Sequence, residues 1–217
     1  MSIISVIILE EPYGDRGWNL EFSSCGGGWA CADHGPIHPL WRVTHASYDA
    51  FGDHLTRAQD FPTYLPWPLS PGWQVTDFGV VCDTRARATV TSVAGTSALD
   101  GPVEMSVISE EPGTGLGARC AGTLHSDPGM QIAASSPTAR IRVGPQSIPL
   151  WTISTSDADR TLDRSVFAGE AAGRWLWLVL RPASAMLLLA DEWILSDVSG
   201  LGPQLLDVPF GGHPPAW

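Results

Sequence analysis

The segment from Trp175 to Leu180 is apolar at every position and has an arginine on each side. Its six residues are far fewer than the roughly 20 that a membrane-spanning helix needs, so we interpret it as a β-strand. Because side chains alternate across a strand, odd-numbered residues face one side and even-numbered residues the other. A strand that is apolar on both faces is expected at the centre of a sandwich or beneath a helix.

Short apolar runs and turn residues alternate beyond Trp73. The 217 residues include 23 Gly and 18 Pro, a composition typical of folded proteins rich in turns. Neighbouring strands tend to pair, so the sequence predicts a mostly β fold, an antiparallel sandwich or meander with one short helix; the alternative is an α+β fold. The predicted strands are 73–81, 86–93, 102–110, 117–123, 139–143, 148–154, 164–168, 174–181, 185–190, 193–198 and 204–208. The break at residues 181–184 predicts a hairpin.

Four segments are expected along the chain: 1–46, an N-terminal strand and a Cys- and His-rich segment; 47–72, a short helix and a connector; 73–208, the main β domain; and 209–217, a flexible tail. Ser47 or Thr44 is suited to cap the helix, and Pro62 would stop it. Four prolines between Phe61 and Trp73 keep the connector extended. Within it, Trp67 and Trp73 either line an aromatic groove that holds a ligand or close the edge of the core.

The charge of the chain restricts its partners. It contains 23 Asp and Glu against 12 Arg and no Lys, with a net charge of −11. Such a surface repels polyanions, so nucleic acid and anionic membranes are not expected as partners. The absence of lysine excludes a P-loop lysine and a Schiff-base nucleophile.

The start of the chain and its cysteines bear on the compartment. The apolar run Ile3 to Leu9 lacks the positive flank of a signal peptide and is too short to span a membrane. The four cysteines come without an export signal, so free thiols or metal ligands are expected rather than disulfides. We therefore expect a cytoplasmic protein.

One segment has the residue types of a zinc site. Zinc takes four thiolate or imidazole ligands, which closely spaced pairs usually provide. Cys31 and His34 form a C-x-x-H pair, and Cys25 with His38 or His45 would complete the set. Phe22, however, stands where a C-x-x-C pair would have its first cysteine. The alternative is a turn in which these side chains only pack.

Several motifs occur in a characteristic order, namely Cys-Gly-Gly at 25–27, Trp-x-Cys-x-x-His-Gly at 29–35, His-Pro-Leu at 38–40, Leu-Pro-Trp-Pro-Leu at 65–69, Gly-Trp at 72–73, Gly-Leu-Gly-Ala-Arg at 115–119, Pro-Leu-Trp at 149–151, Phe-Ala-Gly-Glu-Ala at 167–171, Trp-Leu-Trp at 175–177 and Asp-Glu at 191–192. Together, over residues 24–208, they resemble an uncharacterised actinobacterial family, a domain of unknown function.

The resemblance implies an N-terminus similar to a zinc ribbon that opens with C-P-x-C-G-G and closes with C-x-x-H-G. Cys25, Cys31 and His34 match that pattern, whereas its first cysteine is missing and its loop is shorter. The resemblance also implies a phosphotransacetylase activity, because members of the family carry that label. These residues do not support it, because the chain is small and lacks lysine.

Two further motifs imitate functional loops. Gly113-x-Gly115-x-Gly117 follows a predicted strand, as a phosphate-binding loop does, but the two glutamates just before it would repel an anion, so a bulged hairpin is predicted. Asp157-x-Asp159-x-Thr161 resembles an aspartyl-phosphate motif, but no lysine is present to neutralise a phosphoryl group. A solvated loop is predicted there.

Three functional hypotheses follow. The first is a binding module without catalytic activity for a protein partner or small ligand, because no coherent acid, base and nucleophile set accompanies the ten tryptophans. The second is an enzyme whose site is assembled from Glu110, Glu111, Arg119, Glu170 and Asp191. The third is a docking protein in which zinc organises residues 25–45.

Overall fold

A computed structural model describes residues 29–31, 35–123, 127–129, 132, 135–153, 163–191 and 193–217. The chain forms two compact units, residues 1–38 and residues 39–217. In the first unit, strand β1 (Trp29–Cys31) pairs antiparallel with strand β2 (Gly35–Ile37), and Cys31 lies opposite Gly35.

The second unit is built on a ten-stranded sheet. Its strands are β3 (Leu40–Arg42), β4 (Tyr64–Pro66), β5 (Gln74–Cys82), β6 (Ala86–Ser97), β7 (Gly101–Glu110), β8 (Ala139–Val143), β9 (Gln146–Thr152), β10 (Ser165–Ala171), β11 (Arg174–Arg181) and β12 (Ile194–Asp197). Their order is β3-β5-β6-β7-β11-β10-β9-β8-β12-β4, and every pairing is antiparallel except that of β12 with β8. The prediction of a mostly β fold is confirmed.

The sheet folds back on itself, so that β4 lies against the face of β6. The Thr89 hydroxyl donates to the Pro62 carbonyl at 2.6 Å, and the Thr91 hydroxyl donates to the Tyr64 carbonyl at 2.5 Å. These bonds satisfy buried backbone carbonyls that would otherwise lose their water. They place the start of the connector directly over β6.

Strand β11 separates two apolar layers. Its leucines belong to the larger core, and Trp177 and Val179 belong to a second core that helix α2 (Leu116–Ala121) covers. The prediction that this strand is buried on both faces, in a sandwich or beneath a helix, is confirmed, and a helix covers one of its faces. Because side chains alternate across a strand, β11 contributes residues to both cores.

Helix α1 (Tyr48–Ala58) begins after Ser47, whose hydroxyl accepts a hydrogen bond from the Ala50 backbone at 3.3 Å. It ends at Gln59, which has a positive φ of 54°. The helix buries Phe51, His54 and Ala58 against the sheet. The short helix expected after Ser47 is confirmed.

Three predicted strands are wrong. Residues 117–123 contain helix α2, residues 185–190 lie in the 3₁₀ segment Ala183–Asp191, and residues 204–208 overlap the 3₁₀ segment Gly202–Asp207. The hairpin expected at 181–184 and the bulged hairpin at 113–117 are therefore also wrong. Short apolar runs do not distinguish a strand from a helical turn when burial does not alternate.

Residues 209–217, for which the sequence predicts a flexible tail, lie along β5. Val75 donates to the Pro209 carbonyl at 2.8 Å, and its own carbonyl accepts from Gly211 at 3.1 Å. Phe210 packs against the larger core, while Trp217 packs against the second core. We call residues 209–217 the C-terminal strap, because an aromatic side chain near each end contacts a different core.

Candidate functional site

An aromatic cleft lies where the proline-rich connector meets the start of β12. Its volume is about 210 Å³, and it is lined by Pro66, Trp67, Pro68, Leu69, Ser70, Trp73, Trp193 and Ile194. The Trp73 and Trp193 rings are 5.2 Å apart between centroids and are inclined at 88°, so they pack edge to face. None of the lining side chains is charged.

Packing fixes the walls of this aromatic cleft. Trp73 is only 8% exposed and lies flat on Gly95, where an added Cβ would come within 2.3 Å of the indole. The backbone of Trp67 donates to the Ile194 carbonyl at 3.1 Å, which ties the connector to β12. Trp67 and Trp193 keep part of their surface exposed. The cleft is therefore formed before any ligand arrives.

Glu110 lies at the end of β7 and is fully buried. Its carboxylate accepts hydrogen bonds from the Trp177 indole at 2.6 Å and from the Gly117 backbone at 3.1 Å. Loss of water raises the pKa of Glu110 to about 7, although the hydrogen bonds from Gly117, Trp177 and Leu116 oppose that shift. The charged form is thus held by protein donors and has no solvent contact.

Glu111 points away from Glu110, as neighbours on an extended chain do. Its carboxylate pairs with Arg85, at 2.8 Å for one of the two contacts, and with Arg87 at 3.5 Å. The hydrogen bond from Arg85 lowers the pKa of Glu111. Glu111 and the two arginines therefore form an ion network at the surface. Glu111 does not form an acid–base site together with Glu110.

The other residues suggested for an enzyme site are spread out. Glu170 is exposed on β10 and lies two strands from Glu110, with Trp175 of β11 between them in the pairing register. Arg119 is on α2, with its guanidinium 5.7 Å from the Trp217 ring. Asp191 ends a 3₁₀ segment, and its side chain lies outside the described residues. The described members do not meet in one pocket.

Comparison with known proteins adds one finding. The sequence profile of a family of unknown function, DUF6758, matches residues 20–217. The chain belongs to this family. The resemblance to an uncharacterised family is thereby confirmed, and the match extends through the C-terminal strap. No curated protein and no solved structure matches the chain.

The suggested zinc ligands of this family member lie largely outside the described residues. Cys25 and His34 are among the residues that are not described, and for Cys31 only the backbone is described, as the last residue of β1. His38 is partly buried. Where side chains are described, no three His, Cys, Asp or Glu residues are grouped to hold a metal ion. Zinc binding stays a prediction.

Sequence reasoning missed a charged cluster beneath the C-terminal strap. Asp77 is fully buried, and Arg42 binds its Oδ2 atom from Nε at 3.0 Å and from Nη2 at 2.8 Å. Burial raises the pKa of Asp77, and Arg42 opposes the rise. Arg42 also donates to the Pro215 carbonyl at 2.8 Å and lies 3.9 Å from the Trp217 ring centroid. This cluster holds the last residues of the C-terminal strap against the sheet.

Sequence reasoning also missed Trp193 as part of the cleft. It reaches Trp67 and Trp73 through the pairing of β12 with β4, which joins residues about 130 positions apart. The one available signal was its place directly after the Asp-Glu motif at 191–192.

No helix in the described part of this family member is long and apolar enough to cross a bilayer.

Proposed function

We propose that this chain is a binding module without catalytic activity and that its aromatic cleft holds part of a partner or ligand. The observation that carries the proposal is the convergence of Trp67, Trp73 and Trp193 on one preformed cleft. Pockets that are mostly apolar and largely preformed are typical of ligand sites. Tryptophan is also enriched among the residues that contribute most to binding energy.

Rigidity of the aromatic cleft supports a binding role. Prolines fix the connector, and Trp73 rests on the backbone of Gly95. A site that is already ordered loses less side-chain and loop entropy when a ligand binds, so more of the contact energy remains as affinity.

The arrangement of the carboxylates argues against catalysis. Glu110 has the pKa expected of a general acid near neutral pH, but its oxygens accept from Trp177 and Gly117 in the interior. No solvent-exposed surface of Glu110 is left for a substrate to contact. Neither Glu111 nor Glu170 lies beside it, and Asp127, whose charge adds to the rise in the pKa of Glu110, accepts a hydrogen bond from the Gly113 backbone.

The remaining features fit an acidic protein of the cytoplasm. A net charge of −11 makes nucleic acid an unfavourable partner. Cys82 and Cys120 are free thiols, as expected in a reducing compartment. We therefore propose that the protein is cytoplasmic and that it does not bind nucleic acid.

A fragment screen by ligand-observed NMR tests the binding role. Small apolar, aromatic and cationic fragments are screened against the wild type, and each hit is titrated into Trp193→Ala and Trp67→Ala. Loss of at least about tenfold in affinity is expected, because each substitution removes one wall. The control is Trp151→Ala, since Trp151 donates to the Ser135 carbonyl and does not line the cleft. Hits that bind all variants equally would contradict the proposal.

A second candidate function is a zinc-organised docking segment at residues 25–45. Cys31 is the last residue of strand β1 and lies opposite Gly35, the first residue of strand β2. The C-x-x-H sequence thus begins at the end of a paired strand, and zinc ligands are usually provided by such closely spaced pairs. Metal analysis of protein purified without chelator tests it: about one zinc per chain is expected, and less than about a tenth of an equivalent would remove the idea.

A further inference from the structure

We propose that the aromatic cleft binds a small quaternary ammonium compound. This inference rests on the proposed function, because it names the chemical class of ligand for the same cleft. The observations behind it are the orientation of the rings, the chemistry of the lining and the distribution of charge.

The rings provide the surface that such a cation prefers. The π-face of tryptophan is its negative side, and a cation within about 6 Å of the ring centroid is attracted to it. Trp73 and Trp193 meet at 88° and 5.2 Å, and Trp67 adds a third ring to the cleft. Trp73 is only 8% exposed, so a roughly spherical trimethylammonium group would contact mainly the exposed surface of Trp67 and Trp193.

The described arginines that lie over aromatic rings contact rings outside the cleft. Arg42 lies over Trp217 at 3.9 Å, Arg57 over Trp41 at 5.0 Å and Arg174 over Phe61 at 4.7 Å. Over the described ranges, no arginine lies over any of the three cleft rings. The cleft therefore has aromatic walls that are not already matched by a cation of the same chain.

The lining favours a quaternary ammonium over a primary amine or an anion. Ser70 has the one hydroxyl among the lining side chains, and no carboxylate is among them. A primary ammonium would lose hydrogen bonds to water for which the lining side chains offer one acceptor, the Ser70 hydroxyl, whereas a quaternary ammonium donates none. The net charge of −11 attracts cations and repels anions. A volume of about 210 Å³ suits a compact head group.

Isothermal titration with a matched pair of ligands tests the inference. Choline is compared with its neutral carbon analogue, in which a tert-butyl group replaces the trimethylammonium group. Choline is expected to bind about tenfold more tightly, because the two have the same shape and differ in the attraction of the charge to the rings. Trp193→Ala and Trp67→Ala should each weaken choline binding by at least about fivefold, and Trp151→Ala should leave it unchanged.

A conservative variant separates loss of the ring face from loss of folding. Trp193→Phe keeps an aromatic wall and should bind choline with an affinity between those of the wild type and Trp193→Ala. If Trp193→Phe binds no better than Trp193→Ala while both melt at the temperature of the wild type, the role assigned to the ring face is wrong.

Three results would overturn the inference. Equal binding of choline and the neutral analogue would remove the role of the cation and leave the cleft as an apolar binding site. Failure of choline to saturate the protein at tens of millimolar would remove the ligand class, while the fragment screen still decides the binding role. A trimethyllysine peptide that binds at least tenfold more tightly than choline would assign the cleft to a protein tail instead of a small molecule.

Discussion

The indole Nε1 of Trp177 donates a hydrogen bond of 2.6 Å to Oε1 of Glu110, and both side chains are fully buried. The second carboxylate oxygen accepts from the Gly117 backbone. Gly117 also lies so close to the indole that an added Cβ would be 2.3 Å from it. One buried carboxylate thus ties helix α2 to strands β7 and β11.

Trp177→Phe removes the indole donor while keeping an aromatic ring in the core. We expect a loss of about 2 kcal/mol in the free energy of unfolding at pH 8, because a hydrogen bond to a charged group is lost. Urea unfolding at pH 8 and pH 5 measures it, and the loss should be larger at pH 8, where Glu110 is ionised. The same stability for both proteins at pH 8 would show that the bond contributes nothing.

Glu110 should make stability depend on pH. Its pKa is about 7 in the folded protein against the ordinary glutamate value of 4.5, so between these values the folded state holds a proton that the unfolded state has released. The stabilisation from that proton is present below pH 4.5 and is lost as pH rises through 7. It amounts to about 3 kcal/mol. The difference in unfolding free energy between the wild type and Glu110→Gln should change by that amount between pH 4.5 and 8, and a constant difference would contradict this.

His54 should act in the opposite direction. It lies in the core beside Phe51, and its ring bonds the Thr63 hydroxyl at 3.1 Å. Burial lowers the pKa of His54 from 6.5 to about 3. Between these pH values the unfolded state therefore binds a proton at His54 and the folded state does not. This contribution to stability is complete above pH 6.5 and is lost as pH falls towards 3, with about 2 kcal/mol gone at pH 5. Unfolding of His54→Gln should lack that dependence; an unchanged pH profile in the variant would refute the assignment.

The effects of Glu110 and His54 overlap between pH 4.5 and 6.5 and have opposite signs. The wild-type stability curve alone would therefore look flatter than either contribution. Each is read from the difference between the wild type and its own variant.

Arg42 should anchor the C-terminal strap. Arg42→Met leaves the buried Asp77 carboxylate without its partner, which should cost about 3 kcal/mol of unfolding free energy. Adding Asp77→Asn should recover part of that loss, because the unpaired charge is removed. Urea unfolding of both variants at pH 7 checks this. If Asp77→Asn recovers nothing in the Arg42→Met background, the pair is not the source of the stability.

The strands that could be predicted from the sequence are those with a local signal. Strand β11 is apolar on both faces, so its central position followed from alternation alone. Helix α1 followed from Ser47 as its cap and from the spacing of its apolar residues. In these elements, local pattern and tertiary burial agree.

The parts that sequence reasoning missed depend on contacts between distant residues. Helix α2 forms where Gly117 packs on Trp177 and where a left-handed Gly115 begins the turn. The apolar run at 185–190 is a 3₁₀ segment in which Leu187 is 59% exposed. Trp193 joins the cleft through the long-range pairing of β12 with β4. A local pattern does not contain these contacts.

The most direct test of the aromatic cleft is the indole region of the ¹⁵N–¹H NMR spectrum, with each Nε1 signal assigned by single Trp→Phe variants. A ligand from the fragment screen is titrated into the wild type. Our account predicts saturable shifts concentrated at Trp67, Trp73 and Trp193, while the signals of Trp151 and Trp177 stay in place. Shifts that spare the three cleft indoles and move those of Trp151 or Trp177 would contradict the assignment of the cleft as the binding site.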